Sequence, residues 1–381
     1  MTANDQAKYG ARAASGESPR RIRLGLLAGW SEQLLGAAGL SEDAASLVAE
    51  SLVDAEARGV SSHGIARNRI YVERLRRGLI DATAQPSVER STPASVHVDA
   101  RNAIGHVGCA FGVDEARTRA EQLGVGVAVI KNSNHCGTLG FFARRVTAGG
   151  QIAIIASNGP PVMVYHGGRT RAVGTNPLAI AVPRAGGSPL VLDMATSATA
   201  RGRIILAAQT GEDIPEGWAV DTEGRPTTDS QDAIAGSVVP FGGPKGSGLA
   251  MMIELLCGGL AAAITGEAIG DMYEDWTREQ KVSHFALVLD PDSWVGGDVF
   301  RDHVALFATR VAGLPPSDGF DRVFLPGEPE ELAREEAERL GVTVQAEVLG
   351  DLDVLARELE IELRQGPAAT AGVGVDQGGA Q

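Results

Sequence analysis

Apolar positions recur at helical spacing through the first eighty residues. Leu24, Leu26, Leu27, Leu34 and Leu35 predict a helix over 22–37. Ser41 is placed to cap a second helix, with Glu42 and Asp43 in its first turn and Leu47, Val48, Leu52 and Val53 on its apolar face. Gly59 ends it. A third helix is expected from His63 to about Gly78, with Ile65, Val72, Leu75 and Leu79 turned inward. The period then changes. Residues 95–99 alternate as a strand, 106–123 read as a helix closed by Gly124, and 125–131 form an apolar run of strand length. A helix over 141–148 and a buried strand over 151–157 follow, so 95–200 reads as an α/β lobe. Turns at 215–218 and 221–224 interrupt the pattern, and 248–263 reads as a long buried helix. A strand over 284–289 and helices over 303–311, 328–340 and 351–364 complete the ordered elements. The first nineteen residues and the tail from 366 have the composition of loose segments.

Charge narrows the partners. Across 381 residues the formal net charge is −14, which argues against nucleic acid or an anionic membrane as the main partner. A small anionic substrate would therefore need a local pocket of positive charge. Cys109, Cys136 and Cys257 are odd in number, widely spaced and in no metal-ligand pattern, as expected in a reducing, cytoplasmic setting. The N-terminus has no apolar core of a signal peptide. The run 246–266 approaches membrane-spanning length, but Glu254 sits near its centre and no aromatic belt flanks it, so a buried helix of a soluble core is expected.

Four stretches could carry chemistry. In Ser61-Ser62-His63-Gly64-Ile65-Ala66-Arg67, a serine would cap the third helix, and His63 and Arg67 would share one face of its first turn. A helix start already bears partial positive charge, so two further basic groups there suit an incoming carboxylate better than they suit stability. The ordinary alternative is a capping histidine and a solvated arginine. The polar loop Asn132-Ser-Asn-His135-Cys-Gly137 follows a strand, where α/β sheets collect ligands. A metal site or thiol nucleophile at His135–Cys136 is the weaker option, for want of a third ligand nearby in sequence. Leu192-Asp-Met-Ala-Thr-Ser197 ends an apolar run with an acid and two hydroxyls, a plausible place for the sugar hydroxyls of a nucleotide, or an ordinary strand end. Gly242-Gly-Pro-Lys-Gly-Ser-Gly248 puts glycine-rich backbone and Lys245 at a helix start, a phosphate cradle or a flexible loop. No Walker spacing and no G-x-G-x-x-G after a strand occur, so a Rossmann site is not supported.

Taken in order, these stretches resemble the malate/L-lactate dehydrogenase family of NAD(P)-dependent 2-hydroxyacid oxidoreductases. The matching residues are Arg58-Gly-Val-Ser-Ser-His-Gly-Ile-Ala-Arg67, Asn132-Ser-Asn-His-Cys-Gly137, Gly174-Thr-Asn-Pro-Leu-Ala-Ile-Ala-Val-Pro183, Leu192-Asp-Met-Ala-Thr-Ser197, Ile214-Pro-Glu-Gly-Trp-Ala219, Pro226-Thr-Thr-Asp229, Gly242-Gly-Pro-Lys-Gly246 and Leu325-Pro-Gly-Glu328. The resemblance implies a non-Rossmann α/β fold of the L-sulfolactate dehydrogenase-like kind. A helical lobe over 20–90 would contribute to the substrate site, a mixed-sheet NAD(P) lobe would span 91–330, and C-terminal helices over 331–365 would pack back on the helical lobe. It also implies a homodimer. The family's acid/base histidine and substrate arginine carry over onto His63 and Arg67, with Ser62 beside them. A second histidine falls on His135, as the acid/base itself or as a second polariser. Cofactor contacts, with NAD or NADP, fall on Gly159, Asp193, Met194, Ala195, Lys245, Gly319, Phe320 and Asp321. Cys136, Gly159 and Arg203 depart from the residues common in the family.

The expected reaction moves a hydride between nicotinamide and C2 of a 2-hydroxy or 2-keto carboxylate. Arg67 would clamp the carboxylate, His63 would exchange the hydroxyl proton and Ser62 would orient the C2 oxygen. The same clamp would suit a reductase of cyclic 2-imino acids. A non-catalytic dimeric homolog is the alternative of another class, although every site residue above is present.

Overall fold

Seven strands form the main sheet of this computed structural model, which describes residues 20–364. The two expected tails, 1–19 and 366–381, lie outside the described residues. The strands are β1 (Ser87–Ser91), β2 (Ser95–Asp99), β3 (Val125–Ser133), β4 (Ile152–Ser157), β5 (Leu178–Val182), β6 (Leu190–Met194) and β7 (Val282–Leu289). Their order is β1-β2-β3-β7-β4-β5-β6. Only β2 and β3 run parallel; β7 arrives from far along the chain and pairs antiparallel with β3 and β4. The sheet is therefore mixed, as the resemblance implied, and lacks the doubly wound order of a Rossmann fold. Short strands build a second, five-stranded sheet.

Helices α4 (Gly105–Leu123) and α5 (Leu139–Ala148) cover the main sheet. Val98, Ala128, Ile130, Ala153, Ile155, Ala179 and Ala286 meet Phe142 and Val146 in one apolar core. Alanine and glycine bring helix and sheet close together. A β-carbon on Gly126 would stand 1.8 Å from the Ala116 carbonyl oxygen, and one on Gly112 would stand 2.4 Å from the Ile130 side chain. Gly124 closes α4 in the left-handed region, as its place in the sequence predicts.

A second core joins α1 (Leu24–Ala37), α2 (Glu42–Ala57) and α3 (Arg67–Arg76) to the C-terminal elements α9 (Glu328–Leu340) and α10 (Ala346–Glu358). Arg20–Ile22 pairs with Val342–Val344 beside it. Ser41 caps α2, accepting from the Ala44 N–H at 3.3 Å. Fully buried Arg74 donates to the carbonyls of Met272, Asp275 and Arg278, holding that distant segment against α3.

The structure corrects three expectations. First, α3 starts at Arg67, not His63. Ser61–His63 is a single 3₁₀ turn and Gly64 is extended. The cause lies on α2: the Glu56 carboxylate accepts from the Ile65 N–H at 3.1 Å and fills the space a side chain at 64 would need. No serine caps α3. Second, the expected buried helix at 248–263 is regular only as α7 (Pro244–Glu254) and then widens into a π turn over Leu255–Gly259. Glu254 is turned inward, accepting from Asn158, Asn176 and the Gly266 N–H. Met251, Met252, Leu255, Leu256 and Leu260 are exposed. No helix among the described residues is long and apolar enough to cross a membrane. Third, α8 (Gly297–Ala312) is longer than its apolar pattern suggests, and the last helix ends at Glu358.

The Gly126 contact is with backbone, which cannot swing aside. Gly126→Ala should lower unfolding stability by about 3 kcal/mol, read from urea midpoints. An unchanged midpoint would show that α4 slides freely on the sheet.

Candidate active site

Two loops from different lobes meet at the site. The first is the turn that Glu56 holds. There the Ser62 hydroxyl lies 2.9 Å from His63 Nδ1, and Arg67 Nε donates to the Ser62 carbonyl at 2.6 Å. Buried Asn68 donates to the Ile65 carbonyl and to Ser31, anchoring the start of α3. The Arg67 guanidinium lies 5.2 Å from the centre of the Tyr273 ring, on the segment that Arg74 holds. No carboxylate among the described residues pairs with Arg67.

The second loop leaves the end of β3. Asn134 is buried and donates to the Asn102 and Ala103 carbonyls, while the His135 N–H donates to Gln280 at 3.1 Å. A β-carbon on Gly105 would collide with the Asn134 and His135 carbonyls, so glycine lets α4 tuck under the loop. The His135 ring stacks on His63 with centroids 5.5 Å apart and planes inclined by 27°. Its Nδ1 lies 2.7 Å from the Tyr71 hydroxyl and 3.3 Å from the Gly137 nitrogen. A backbone N–H can only donate, so the network assigns Nδ1 as acceptor and puts the proton on Nε2.

Sequence reasoning missed Tyr71 and Tyr273. Tyr71 had a signal, since it lies four residues after Arg67 on the same helix face. Tyr273 had none, because it is tertiary contacts, those of Arg74 and Met272 among them, that bring its segment across. The structure also replaces the expected shared helix face of His63 and Arg67 with a turn followed by a helix start.

Desolvation dominates the electrostatics. It lowers His63 from the usual 6.5 to about 4, and the Arg67 charge adds to the shift. His135 is held well below 6.5 by desolvation first, then by His63 and Arg67. Burial also lowers Arg67, which Tyr71 partly opposes. The result is one guanidinium without a counter-ion beside two neutral imidazoles. That arrangement can hold a small carboxylate and exchange a proton next to it.

The cofactor candidates lie along the ends of neighbouring strands. Asp193 accepts from the Gly140 N–H at 2.7 Å, at the start of α5 and five residues beyond His135. Its residue surface is more than a third open, yet the protein around the carboxyl group raises it to about 6, against the pull of Gly140 and Arg144. Met194 pairs with Leu178 across β5 and β6. Beyond Ala195, Thr196 bonds to Thr175 and accepts from Phe241, which brings in the Gly242–Gly243 turn and Lys245. That turn is not the backbone cradle expected. Its Gly246 and Ser247 N–H groups are taken by the Phe241 and Gly243 carbonyls. What it offers a phosphate is the exposed side chain of Lys245 at the start of α7. Gly159 has open space where a β-carbon would project, and its carbonyl lies against Gly174. Gly319, Phe320 and Asp321 form an exposed turn in which the Phe320 N–H bonds to Ser317; no bond joins them to the Asp193 and Lys245 group. A carboxyl able to take sugar hydroxyls, an exposed ammonium and unfilled space at glycine fit a nucleotide cofactor.

Fold and site together define a non-Rossmann protein in which Arg67 and the stacked His63 and His135 lie where a helical core meets a mixed sheet. The sequence pattern describing the malate/L-lactate dehydrogenase family matches residues 24–353, and the chain belongs to that family. It is 41% identical over 274 residues to the (2R)-3-sulfolactate dehydrogenase (NADP(+)) of Chromohalobacter salexigens, covering 72% of this chain and 81% of that one. It is 34% identical over 313 residues to the ureidoglycolate dehydrogenase (NAD(+)) of Escherichia coli K12, covering 82% and 89%. The solved sulfolactate dehydrogenase of Methanocaldococcus jannaschii superposes with a TM-score of 0.85 at 30% identity, over 90% of this chain and 98% of the other.

Tyr71→Phe removes the hydroxyl on His135 Nδ1 and leaves the ring packing. We expect kcat to fall about tenfold, with a smaller change in KM, as for the loss of one orienting hydrogen bond. Equal effects on both, or none, would mean that Tyr71 only packs.

Proposed function

We propose that the seam between the lobes binds a 2-hydroxy or 2-keto carboxylate and handles the proton at its C2 oxygen. The protein is an NAD(P)-dependent oxidoreductase acting on the CH–OH group of 2-hydroxy acids. The observation that carries the assignment of residues is the uncompensated Arg67 beside paired neutral histidines. When bound, the nicotinamide cofactor supplies or accepts the hydride. The residues of the chain do the rest. Arg67 binds the substrate carboxylate through parallel N–H groups. His135, its Nδ1 occupied by Tyr71 and Gly137, presents Nε2–H and holds the C2 oxygen. His63 can donate Nδ1–H to Ser62 and present Nε2 as a lone pair, so it takes the hydroxyl proton in the oxidative direction. Ser62 Oγ is the acceptor in that arrangement. Asp193, with Met194 and Ala195, and Lys245 hold the cofactor, with Gly159 leaving it room.

Homodimer formation belongs to the same proposal. The exposed apolar residues of α7 and its π turn, and separately Val299, Leu306 and Phe307 on α8, are surface suited to a second copy. The three buried, unpaired cysteines fit a reducing cytoplasm.

Rates with a panel of 2-keto acids, each with NADH and NADPH, and then with cyclic imines, test the substrate class. Arg67→Met should lower kcat/KM by about a hundredfold or more, the scale of losing a desolvated charge pair. If Arg67→Met and His63→Ala both kept wild-type kcat/KM, the assignment would be wrong. His135→Gln retains an N–H donor and should keep more activity than His63→Gln; the reverse order would exchange the two roles.

The pH profile follows from the same shifts. A base whose pKa is lowered stays deprotonated further into acid. The acid limb of kcat/KM for oxidation should therefore lie near pH 4, below the pH of about 6.5 of an ordinary histidine. A limb at 6.5 would place the working base outside this pair.

A further inference from the structure

A second cluster of reactive side chains lies behind His135. Cys109 on α4, Cys136 on the loop and His284 on β7 place two sulfurs and a ring nitrogen within 4.8 Å of one another. Cys136 Sγ is 3.9 Å from His284 Nδ1. All three residues are buried. Sequence spacing gave His135–Cys136 no third ligand. The cluster leaves His135 out: its imidazole comes from β7, the strand inserted between β3 and β4, and its second sulfur from α4.

We propose that Cys109, Cys136 and His284 form a site for one thiophilic d10 cation of the Zn²⁺ or Cd²⁺ class, whose occupancy silences the adjacent His135. The donor set is the first reason. Two thiols and an imidazole are the soft and borderline ligands such ions take, and carboxylate is absent from the cluster. The spacing is the second. Zn–S near 2.3 Å and Zn–N near 2.0 Å require donors roughly 3.5 to 3.8 Å apart, so the cluster needs to contract by about 1 Å or less. The tautomer is the third. His284 Nε2 lies 2.9 Å from Ser133 Oγ, a partner that can accept N–H and leave Nδ1 as the lone pair facing the sulfurs. Ser157, which shares Nδ1 at 2.9 Å, has the Asn158 carbonyl at 3.0 Å as another acceptor for its hydroxyl. Charge is the fourth. Binding replaces two S–H protons with one divalent ion, two protons leave, and the buried site stays neutral.

The silencing follows from position. Cys136 is bonded directly to His135, and the next residue, Gly137, supplies the N–H on His135 Nδ1. Drawing Cys136 Sγ toward a metal turns that short loop. This consequence rests on the role given to His135 above; the binding does not.

The test uses the reduced, chelator-treated full chain titrated with Cd²⁺. The ultraviolet Cd–thiolate charge-transfer band should saturate at one equivalent per chain, metal should stay bound through desalting, and Zn²⁺ should compete. Cys109→Ser and Cys136→Ser should each remove the band, His284→Gln should weaken binding tenfold or more, and Cys257→Ser should leave it unchanged. No saturable band in the wild type, or an equal band in whichever cysteine variants fold, would overturn the site. Turnover should fall in step with occupancy. Binding without loss of turnover would retain the metal site and refute its coupling to His135, whereas failure of the Arg67 and His63 tests would leave the spectroscopic result untouched.

Discussion

An arginine without a counter-charge is the constraint on which the rest of the site depends. Arg67 is half-buried at the seam, and its partners are a backbone carbonyl and an aromatic face. Removing a guanidinium from water without a carboxylate is unfavourable, so the surrounding structure has to hold it there. Glu56 shapes the turn before it, Asn68 fixes the helix that carries it, and Arg74 delivers Tyr273 above it. The same uncompensated charge, acting with desolvation, keeps His63 and His135 neutral. A substrate carboxylate would supply the missing charge.

Arg74 shows how distant packing sets local chemistry. It is a core residue whose three carbonyl partners lie about two hundred positions away. It touches no reacting group, yet it fixes the segment that closes over Arg67. Glu254 has a comparable part on the cofactor lobe. Within an otherwise apolar run it ties α7 to Asn158, next to Gly159 after β4, and to Asn176 before β5, which pairs with the strand carrying Asp193 and Met194. In both cases a buried charge is satisfied by hydrogen bonds that specify one arrangement of loops.

Much of the architecture was legible along the chain. The alternation over 95–99, the apolar run from 125, the Ser41 cap and the charged helix over 328–340 are local signals, and the folded elements follow them. The misreading at His63 came from Glu56, a residue on the preceding helix that holds Gly64 extended where periodicity alone extends the helix. The run near Glu254 misled for a related reason. Ile253 and Cys257 are buried, but Met251, Met252, Leu255, Leu256 and Leu260 are exposed, and periodicity does not tell whether an apolar stripe faces the core of its own chain or another surface.

By itself, the sequence determined which segments become strands and helices, which residue types could bind an anion or exchange a proton, and the family pattern that joins them. Those properties are local or depend on order along the chain. The tertiary structure decided that His63 stacks on His135, that Tyr71 and Gly137 fix the tautomer of His135, that Tyr273 covers Arg67, and that two cysteines meet His284 behind the site. Each of those depends on desolvation or on contacts between residues from separate elements, and neither is encoded in spacing.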